Sequence, residues 1–556
     1  MDAISRPPTP RNEPVREYAA GTPYRESLRQ TLAELATERF ELTATIDGIQ
    51  RMPRGRPIQV VAPHNHQQVL GVTANATADD AKAAITAALR AANPWRQLPF
   101  DERAAVLLRA ADLLSGPWRD TLNAATMLGQ SKTAAQAEID AACELADFWR
   151  FNVHFAHRIL AEQPESASGA WNRLDYRPLE GFVYAITPFN FTAIAGNLAT
   201  APALMGNTVL WKPAPAQTLA AYLTMRLLEE AGLPPGVINL LPGDGLAVSD
   251  SALSHPALAG IHFTGSTSTF HHLWRRVGAN IGRYRSYPRL VGETGGKGFV
   301  LAHPSADPDL LRMALIRGAF EYQGQKCSAA SRAYIPRSIW ARIRDDLADE
   351  TDALSMGDIT DFNNALGAVI DRRAYDRLTD VLDAALHSTE LQVIAGGTAD
   401  DSKGLFVRPT LVEGNNPTND VFIREFFGPI LAVHVYDDHQ YDRVLQHIDD
   451  STPYGLTGAI IATDRAAIHH ASNQLRFTAG NLYINDKPTG AVVGQQPFGG
   501  SRASGTNDKA GSIYNLQRWT NPRTTKETHS LPGVTTTRPR PKASSGDPRD
   551  GSDPGS

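Results

Sequence analysis

The chain has 556 residues, with 54 basic against 59 acidic side chains and a net charge of −5. That length suggests two or three domains with sizeable cores, and the mildly acidic balance argues against a broad nucleic-acid surface. Two cysteines, Cys143 and Cys327, exclude a disulfide scaffold for a chain this size and point to a reducing compartment where a thiol is free for chemistry.

Residues 1–40 are rich in proline and charge and read as an N-terminal extension that wraps over a body rather than forming a core. Their start, "MDAISRPPTPRNEP", has no apolar stretch like a secretory signal. Cys143 lies in "IDAACELADFWRF", a helical apolar pattern in which it reads as a packed core residue. "WNRLDYRPLEG" alternates and reads as a hairpin arm reaching a partner subunit. From Gly181 to Trp211 the chain carries no charged residue. Two prolines and three asparagines break that stretch, so it reads as a buried strand–turn–helix rather than a membrane span.

Strand and helix then alternate. "GFVYAI", "NTVLWK", "VINLLPG" and "LAGIHFTGS" read as strands, with helices after Asn190, in "AQTLAAYLTMRLLEEAGL" and in "TFHHLWRRVGANIG". Apolar strands separated by helices imply right-handed crossovers and a parallel sheet covered on both faces. Ligands bind such sheets at the carboxyl ends of the strands. Those ends here carry Thr187-Pro-Phe-Asn190, Lys212, Pro242-Gly-Asp-Gly and Thr264-Gly-Ser. Each alone reads as ordinary loop chemistry, but the four in series look like a cofactor crevice. A second alternating block, from Lys297 to Gly490, reads as another α/β unit, and residues 530–556 as a disordered tail.

The glycine fingerprint G-x-G-x-x-G after the first strand is missing. "GETGGKG" fails as a phosphate-binding P-loop, because Gly298 stands where a hydroxyl residue would hold the metal. No G-x-S-x-G elbow occurs. The pairs His64/His66, His271/His272 and His469/His470 lack a matching cysteine or carboxylate cluster, so no metal site is expected.

Cys327 stands apart. In "EYQGQKCSAASRAY" it follows Lys326 and precedes small residues, with no continuous apolar face. An electropositive setting or aligned N–H dipoles would favour its thiolate; a small residue in a turn is the bland alternative. Glu293 in "LVGETGGKG" sits at a strand end among glycines, 34 positions before Cys327. A helix-like stretch between them can fold both into one cleft. Asn190 offers an amide that donates to an oxygen turning negative when a carbonyl is attacked. Nucleophile, base and oxyanion donor make a complete set for covalent chemistry at a carbonyl.

With these residues, the sequence resembles the aldehyde dehydrogenase family over residues 40 to 525. "ITPFNF", "WKPA", "FTGST", "ETGGK", "GQKCS", "EFFGP" and "PFGGSRASG" occur in that family's order. "EYQGQKCSA" and "NDKPTGAVVGQQPFGGSRASGTNDKAG" resemble the branch that oxidises L-glutamate γ-semialdehyde, the open form of 1-pyrroline-5-carboxylate. The resemblance implies an α/β fold with a Rossmann-like cofactor domain (41–164 and 181–292), a catalytic domain (293–507) and a small β oligomerisation arm (165–180 and 508–528).

It also implies roles. Cys327 is the expected nucleophile, Glu293 the general base, and Asn190 the oxyanion donor. Thr187, Lys212, Gly265, Ser266, Thr267, Ser268 and Thr269 are expected to line the adenosine and pyrophosphate of NAD. Glu425 is expected to hold the nicotinamide ribose, with Phe427 beside it. Ser328 with the backbone of Gly490 and Ala491 is expected to grip the substrate's α-carboxylate, and Phe191 and Phe498 to sandwich its chain. A cytoplasmic homodimer or larger homo-oligomer is implied, free of nucleic acid and membrane, with proline dehydrogenase as a transient partner. Another acidic semialdehyde, such as succinate semialdehyde, is the nearest alternative substrate; a thioester hydrolase using Cys327 without redox chemistry is the alternative of a different class. Two positions depart from the family's pattern. Pro215 replaces the usual acidic residue three positions after the cofactor lysine, which weakens the expected discrimination against NADP. Phe270 stands where many relatives have glycine.

Overall fold

The computed structural model describes residues 5–529; the expected C-terminal tail lies outside them. Two seven-stranded sheets dominate. The first runs, in spatial order, Arg289–Glu293, Leu258–Thr264, Phe182–Thr187, Thr208–Pro213, Ile238–Leu240, Ala44–Ile46 and Ile49–Arg51. Its first five strands are parallel and the last two antiparallel. The second runs Leu391–Ala395, Thr410–Gly414, Ile430–Tyr436, Ala330–Pro336, Gly298–Ala302, Thr457–Ile461 and Asn481–Ile484, parallel except at Leu391–Ala395.

Side chains two apart on a strand share a face, and the apolar runs divide accordingly. Val183 and Ala185 enter one core, Phe182 and Tyr184 the other; on the neighbouring strand Val209 and Trp211 join the first and Leu210 the second. In the second sheet Val300 and Ala333 face one core while Phe299, Leu301 and Tyr334 face another. Both sheets are thus covered on two sides, which is why their strands read as unbroken apolar runs. The charge-free stretch resolves into the strand Phe182–Thr187, the helix Thr192–Leu204 and the strand Thr208–Pro213. No helix among the described residues is long and apolar enough to cross a membrane.

Two expectations need correction. Residues 1–40 do more than wrap the body: Thr22 caps a helix, Pro23–Thr37. Leu28, Leu32 and Leu35 on that helix are buried in the main core, spaced for one helical face. "WNRLDYRPLEG" lies in a two-stranded ribbon. Its strand Ala170–Pro178 pairs antiparallel with Thr520–Thr528, more than 340 positions away, through nine residue pairs. Cys143 is buried, but in a π-helical turn, Glu138–Glu144, where its sulfur lies 3.5 Å from Nη2 of the buried Arg119. Charged neighbours, rather than an apolar stripe alone, surround it.

Candidate active site

The register of the first sheet brings the predicted residues to one edge. Lys212 pairs with Ile186, Ile186 with Phe263, Thr264 with Glu293, and Thr187 with Pro213. Neighbouring strands lie about 4.8 Å apart, so Glu293, Thr264, Thr187 and Lys212 share one carboxyl rim. Trp211 Nε1 donates to Thr187 Oγ1 at 3.0 Å and fixes that hydroxyl.

Cys327 arrives at the same rim from the second sheet, just before the strand Ala330–Pro336. Its approach is strained: Tyr322, Gln323 and Gly324 all adopt left-handed φ, at 52°, 53° and 64°. Such a conformation costs of order 1–3 kcal/mol for each non-glycine residue, so the surroundings must hold it. Tyr322 Oη donates to Gln130 O at 3.0 Å. Gln323 Nε2 donates to Ser131 O and Ala368 O, and Gln325 Oε1 accepts from Ile370 N at 2.9 Å. A Cβ on Gly324 would stand 2.2 Å from Gly428 O, so only glycine fits the crossing. A short turn, Ala329 N to Lys326 O at 3.0 Å, then presents the cysteine.

The electrostatics correct one expectation. Lys326 does not electrify the thiol; it is paired with Glu321 at 3.0 Å. Burial, followed by the nearby Glu293 and Glu425 carboxylates, pushes the Cys327 pKa well up, against the pull of the Cys327 and Ser328 N–H groups. Both effects favour the protonated thiol over the thiolate. Glu293 is held by Gly500 N, which donates to Oε1 at 2.8 Å, and burial raises its pKa to about 8.

Asn190 is buried, and its Nδ2 donates to Gln325 O at 3.0 Å, two residues from the nucleophile. One amide hydrogen is thus used to lock the loop and the other is left for a ligand. The next residues carry a device the sequence did not reveal. Asp140 accepts from Thr192 N and Ala193 N, both at 3.0 Å, at the start of the helix Thr192–Leu204. Lys132 Nζ lies 2.7 Å from the same carboxylate. The ammonium also sits 4.1 Å from the centre of the Phe191 ring and 4.5 Å from that of Tyr322. One buried ion pair therefore ties the Asn190–Phe191 segment to the loop that carries Cys327. No sequence signal points to Lys132 or Asp140, because neither stands in a recognisable motif.

Ser328 also meets Thr489, the neighbour of Gly490. The hydroxyls of Ser328 and Thr489 share a hydrogen bond of 2.7 Å, and Gly490 turns with φ +92° beyond it. Thr489 was missed, since a threonine beside a glycine reads as a turn residue. Phe498 exchanges backbone hydrogen bonds with Ala510 at 3.1 and 2.8 Å, which fixes where its ring starts.

The remaining predicted residues can be tested for their fit to a dinucleotide. Ser266 caps the helix Thr267–Ala279 by accepting from Thr269 N at 3.2 Å, and the free N–H groups of that first turn suit a pyrophosphate. Lys212 is buried and has its Nζ 2.7 Å from Pro213 O; burial lowers its pKa to about 8, partly offset by Asp244. Glu425 accepts from Gly296 N at 2.7 Å. A Cβ on Gly295 would stand 2.1 Å from its Oε2, so the glycine pair makes the seat in which the carboxylate rests. Burial raises Glu425 to about 7. Phe427, at φ 57°, packs edge-on to Phe189 with centroids 5.7 Å apart. A lysine, helix N–H groups and an accepting carboxylate are the polar groups a dinucleotide needs, and the residues fit the group. Phe270 causes no obstruction: it stacks on Phe263 at 5.3 Å, over Gly292, where a Cβ would strike its ring at 2.1 Å.

Comparison with known proteins agrees with this geometry. Residues 51–525 match the profile described as "Aldehyde dehydrogenase family". A Schizosaccharomyces pombe protein named "Probable delta-1-pyrroline-5-carboxylate dehydrogenase" is 49% identical, over 94% of this chain and 96% of its own. The human "Delta-1-pyrroline-5-carboxylate dehydrogenase, mitochondrial" is 47% identical, over 93% of this chain and 92% of its own. The crystal structure of the Mycobacterium tuberculosis Delta-pyrroline-5-carboxylate dehydrogenase bound with NAD is 61% identical, covers 96% of this chain and 99% of its own, and superposes with a TM-score of 0.93. The chain belongs to the aldehyde dehydrogenase family.

Proposed function

We propose that the protein oxidises L-glutamate γ-semialdehyde to L-glutamate with NAD. The observation that carries the substrate choice is the 2.7 Å bond between Ser328 and Thr489, which ties the residue after the nucleophile to the turn of Gly490 and Ala491. Backbone N–H groups of such a turn hold a carboxylate without a bulky cation. The relatives named for pyrroline-5-carboxylate support the same choice.

In this reading Thr187, Lys212 and residues 265–269 hold the adenosine and pyrophosphate, Glu425 the nicotinamide ribose, and Phe427 packs alongside. When bound, the nicotinamide supplies the hydride acceptor. Cys327 Sγ gives its proton to the Glu293 carboxylate, which returns it to solvent, as the sulfur bonds the aldehyde carbon. The free Nδ2 hydrogen of Asn190 and the Cys327 N–H stabilise the resulting oxyanion, a contribution worth roughly 10²–10³-fold per donor. Loss of hydride leaves a thioester on Cys327. Glu293 then takes a proton from water as its oxygen attacks the acyl carbon; the C–S bond breaks, releasing glutamate and the sulfur. Base assistance of this kind is worth roughly 10²–10⁴-fold. Phe191 and Phe498 confine the aliphatic chain. The cyclic form has no free aldehyde, so its ring opens by hydration before attack.

On the same reading, residues 41–164 and 181–292 serve the dinucleotide and residues 293–507 the acyl chemistry. The ribbon formed by 165–180 and 508–528 reaches a second copy of the chain, in a homodimer or larger assembly. Proline dehydrogenase, whose product is the substrate, is the transient partner. A cytoplasmic setting rests on the free thiols alone. The test is reduced-nicotinamide absorbance with glutamate semialdehyde, succinate semialdehyde and an uncharged aldehyde, each with NAD and NADP. Preference for glutamate semialdehyde with NAD supports the proposal; preference for succinate semialdehyde, or no reduction at all, overturns it.

A further inference from the structure

Residues 12–18 cross the body without regular secondary structure, held by charges of the body. The Glu13 carboxylate bridges Nη1 of Arg119 at 2.6 Å and Nη1 of Arg150 at 2.7 Å. Glu13 N and Asn12 Nδ2 donate to the two oxygens of the buried Asp147 at 2.7 and 2.8 Å. Arg16 N and Tyr18 Oη donate to the buried Glu138, each at 2.8 Å. The strap is therefore anchored immediately after Asn12, through Glu13, Arg16 and Tyr18.

Asn12's own contacts reach the segment that follows the substrate turn. Asn12 Nδ2 also donates to Val493 O at 2.8 Å, and its Oδ1 accepts from Gln495 Nε2 at 3.0 Å. The segment 492–496 is otherwise closed on itself: Gln495 N and Gln496 N share Val492 O at 3.0 Å, and Val492 N donates to Gln496 Oε1 at 2.9 Å. Gly494, at φ +82°, lies against Phe151, where a Cβ would come within 2.2 Å of the ring. Among the described residues, Asn12 is the one side chain from outside 490–496 that hydrogen-bonds this segment.

We propose that Asn12 is a positioning residue for carboxylate specificity: through Val493 and Gln495 it fixes, from behind, the turn whose Gly490 and Ala491 face the substrate. The proposal rests on the reading that this turn grips the α-carboxylate. A loose turn leaves the chemistry at Cys327 intact and weakens only the grip on the charged head. Losing the hydrogen bonds to Val493 and Gln495 should weaken the hold on the charged head roughly tenfold.

The test uses the full chain with Asn12→Ala and, separately, Gln495→Ala, assayed with NAD against glutamate semialdehyde and propionaldehyde. Hydrogen exchange is followed in peptides covering residues 490–497. The expected result for Asn12→Ala is a KM for the semialdehyde raised roughly tenfold, kcat within about twofold, propionaldehyde kinetics unchanged and faster exchange in the turn. Gln495→Ala moves the same quantities by less. An equal rise in KM for both aldehydes, a parallel fall in kcat, or unchanged exchange overturns the proposal. Should the unmutated protein itself show no preference for the semialdehyde, the substrate reading fails on its own; the exchange data still decide whether Asn12 holds the turn.

Discussion

Gly500 N donates to Oε1 of Glu293 at 2.8 Å, joining the end of a strand in the first sheet to a loop 207 positions later. The bond favours the carboxylate, as does nearby Lys509, but burial outweighs both and raises the pKa to about 8. The base form therefore accumulates as pH rises through about 8, and turnover limited by thioester hydrolysis should rise through the same range. In Glu293→Gln that limb should disappear, as a pH profile of the steady-state rate would show. A slope unchanged in the variant would remove Glu293 from the base role.

The same shift makes a stability prediction. The folded pKa lies above the ordinary 4.5, so the folded state binds the proton more tightly. Stability contributed by this group is full at low pH and falls as pH rises from about 4.5 to about 8. Glu293→Gln, which keeps an acceptor for Gly500 N, escapes that loss. Urea unfolding should find the variant more stable than the native chain by up to about 5 kcal/mol above pH 8 and nearly equal to it near pH 4.5.

Lys132 and Asp140 should act through position. Asp140→Asn leaves a buried ammonium unpaired and frees the segment that bears Asn190. Breaking a buried pair typically costs about 3–5 kcal/mol, so the variant should unfold earlier in urea. Its kcat should fall at least about tenfold, because a small misplacement of a donor is felt at the reaction centre. NAD binding, followed by titration of intrinsic fluorescence, should change little.

The contrast between legible and hidden parts has a physical cause. Strand ends such as Thr187, Lys212 and Glu293 stood out because both sheets bury their strands on two faces, so a polar group closing an apolar run marks the rim. Cys327 stood out because its neighbours make no apolar stripe. Lys132, Asp140, Asn12 and Thr489 act through contacts between segments far apart in the chain, and nothing local to them announces it. The helix Pro23–Thr37 did carry its signal in Leu28, Leu32 and Leu35, but the surrounding charge and proline masked it. Glu425 was placed through resemblance alone; its glycine seat is visible only in three dimensions.

Ala491→Pro removes one backbone donor from the substrate turn. A hydrogen bond to a charged group is worth roughly 1.5–3 kcal/mol. KM for glutamate semialdehyde should therefore rise by roughly tenfold to a hundredfold, with a smaller change for propionaldehyde. Equal effects on both would detach the turn from carboxylate recognition.

Pro215 opens a short 3₁₀ turn just past Lys212 and offers no carboxylate to a ribose hydroxyl. Pro215→Asp should raise the KM for NADP about tenfold relative to that for NAD, by repulsion of the 2′-phosphate and a new acceptor for the 2′-hydroxyl. A ratio that does not move would show that discrimination lies elsewhere in the crevice.

The most direct test of the chemistry is acid quenching of Glu293→Gln with NAD and glutamate semialdehyde, followed by intact-mass and peptide analysis. One glutamyl group per chain on the peptide that contains Cys327, formed with an equal burst of reduced nicotinamide, is the expected result. Reduced nicotinamide appearing with no acyl group on that sulfur, or with the group on another residue, would contradict the account.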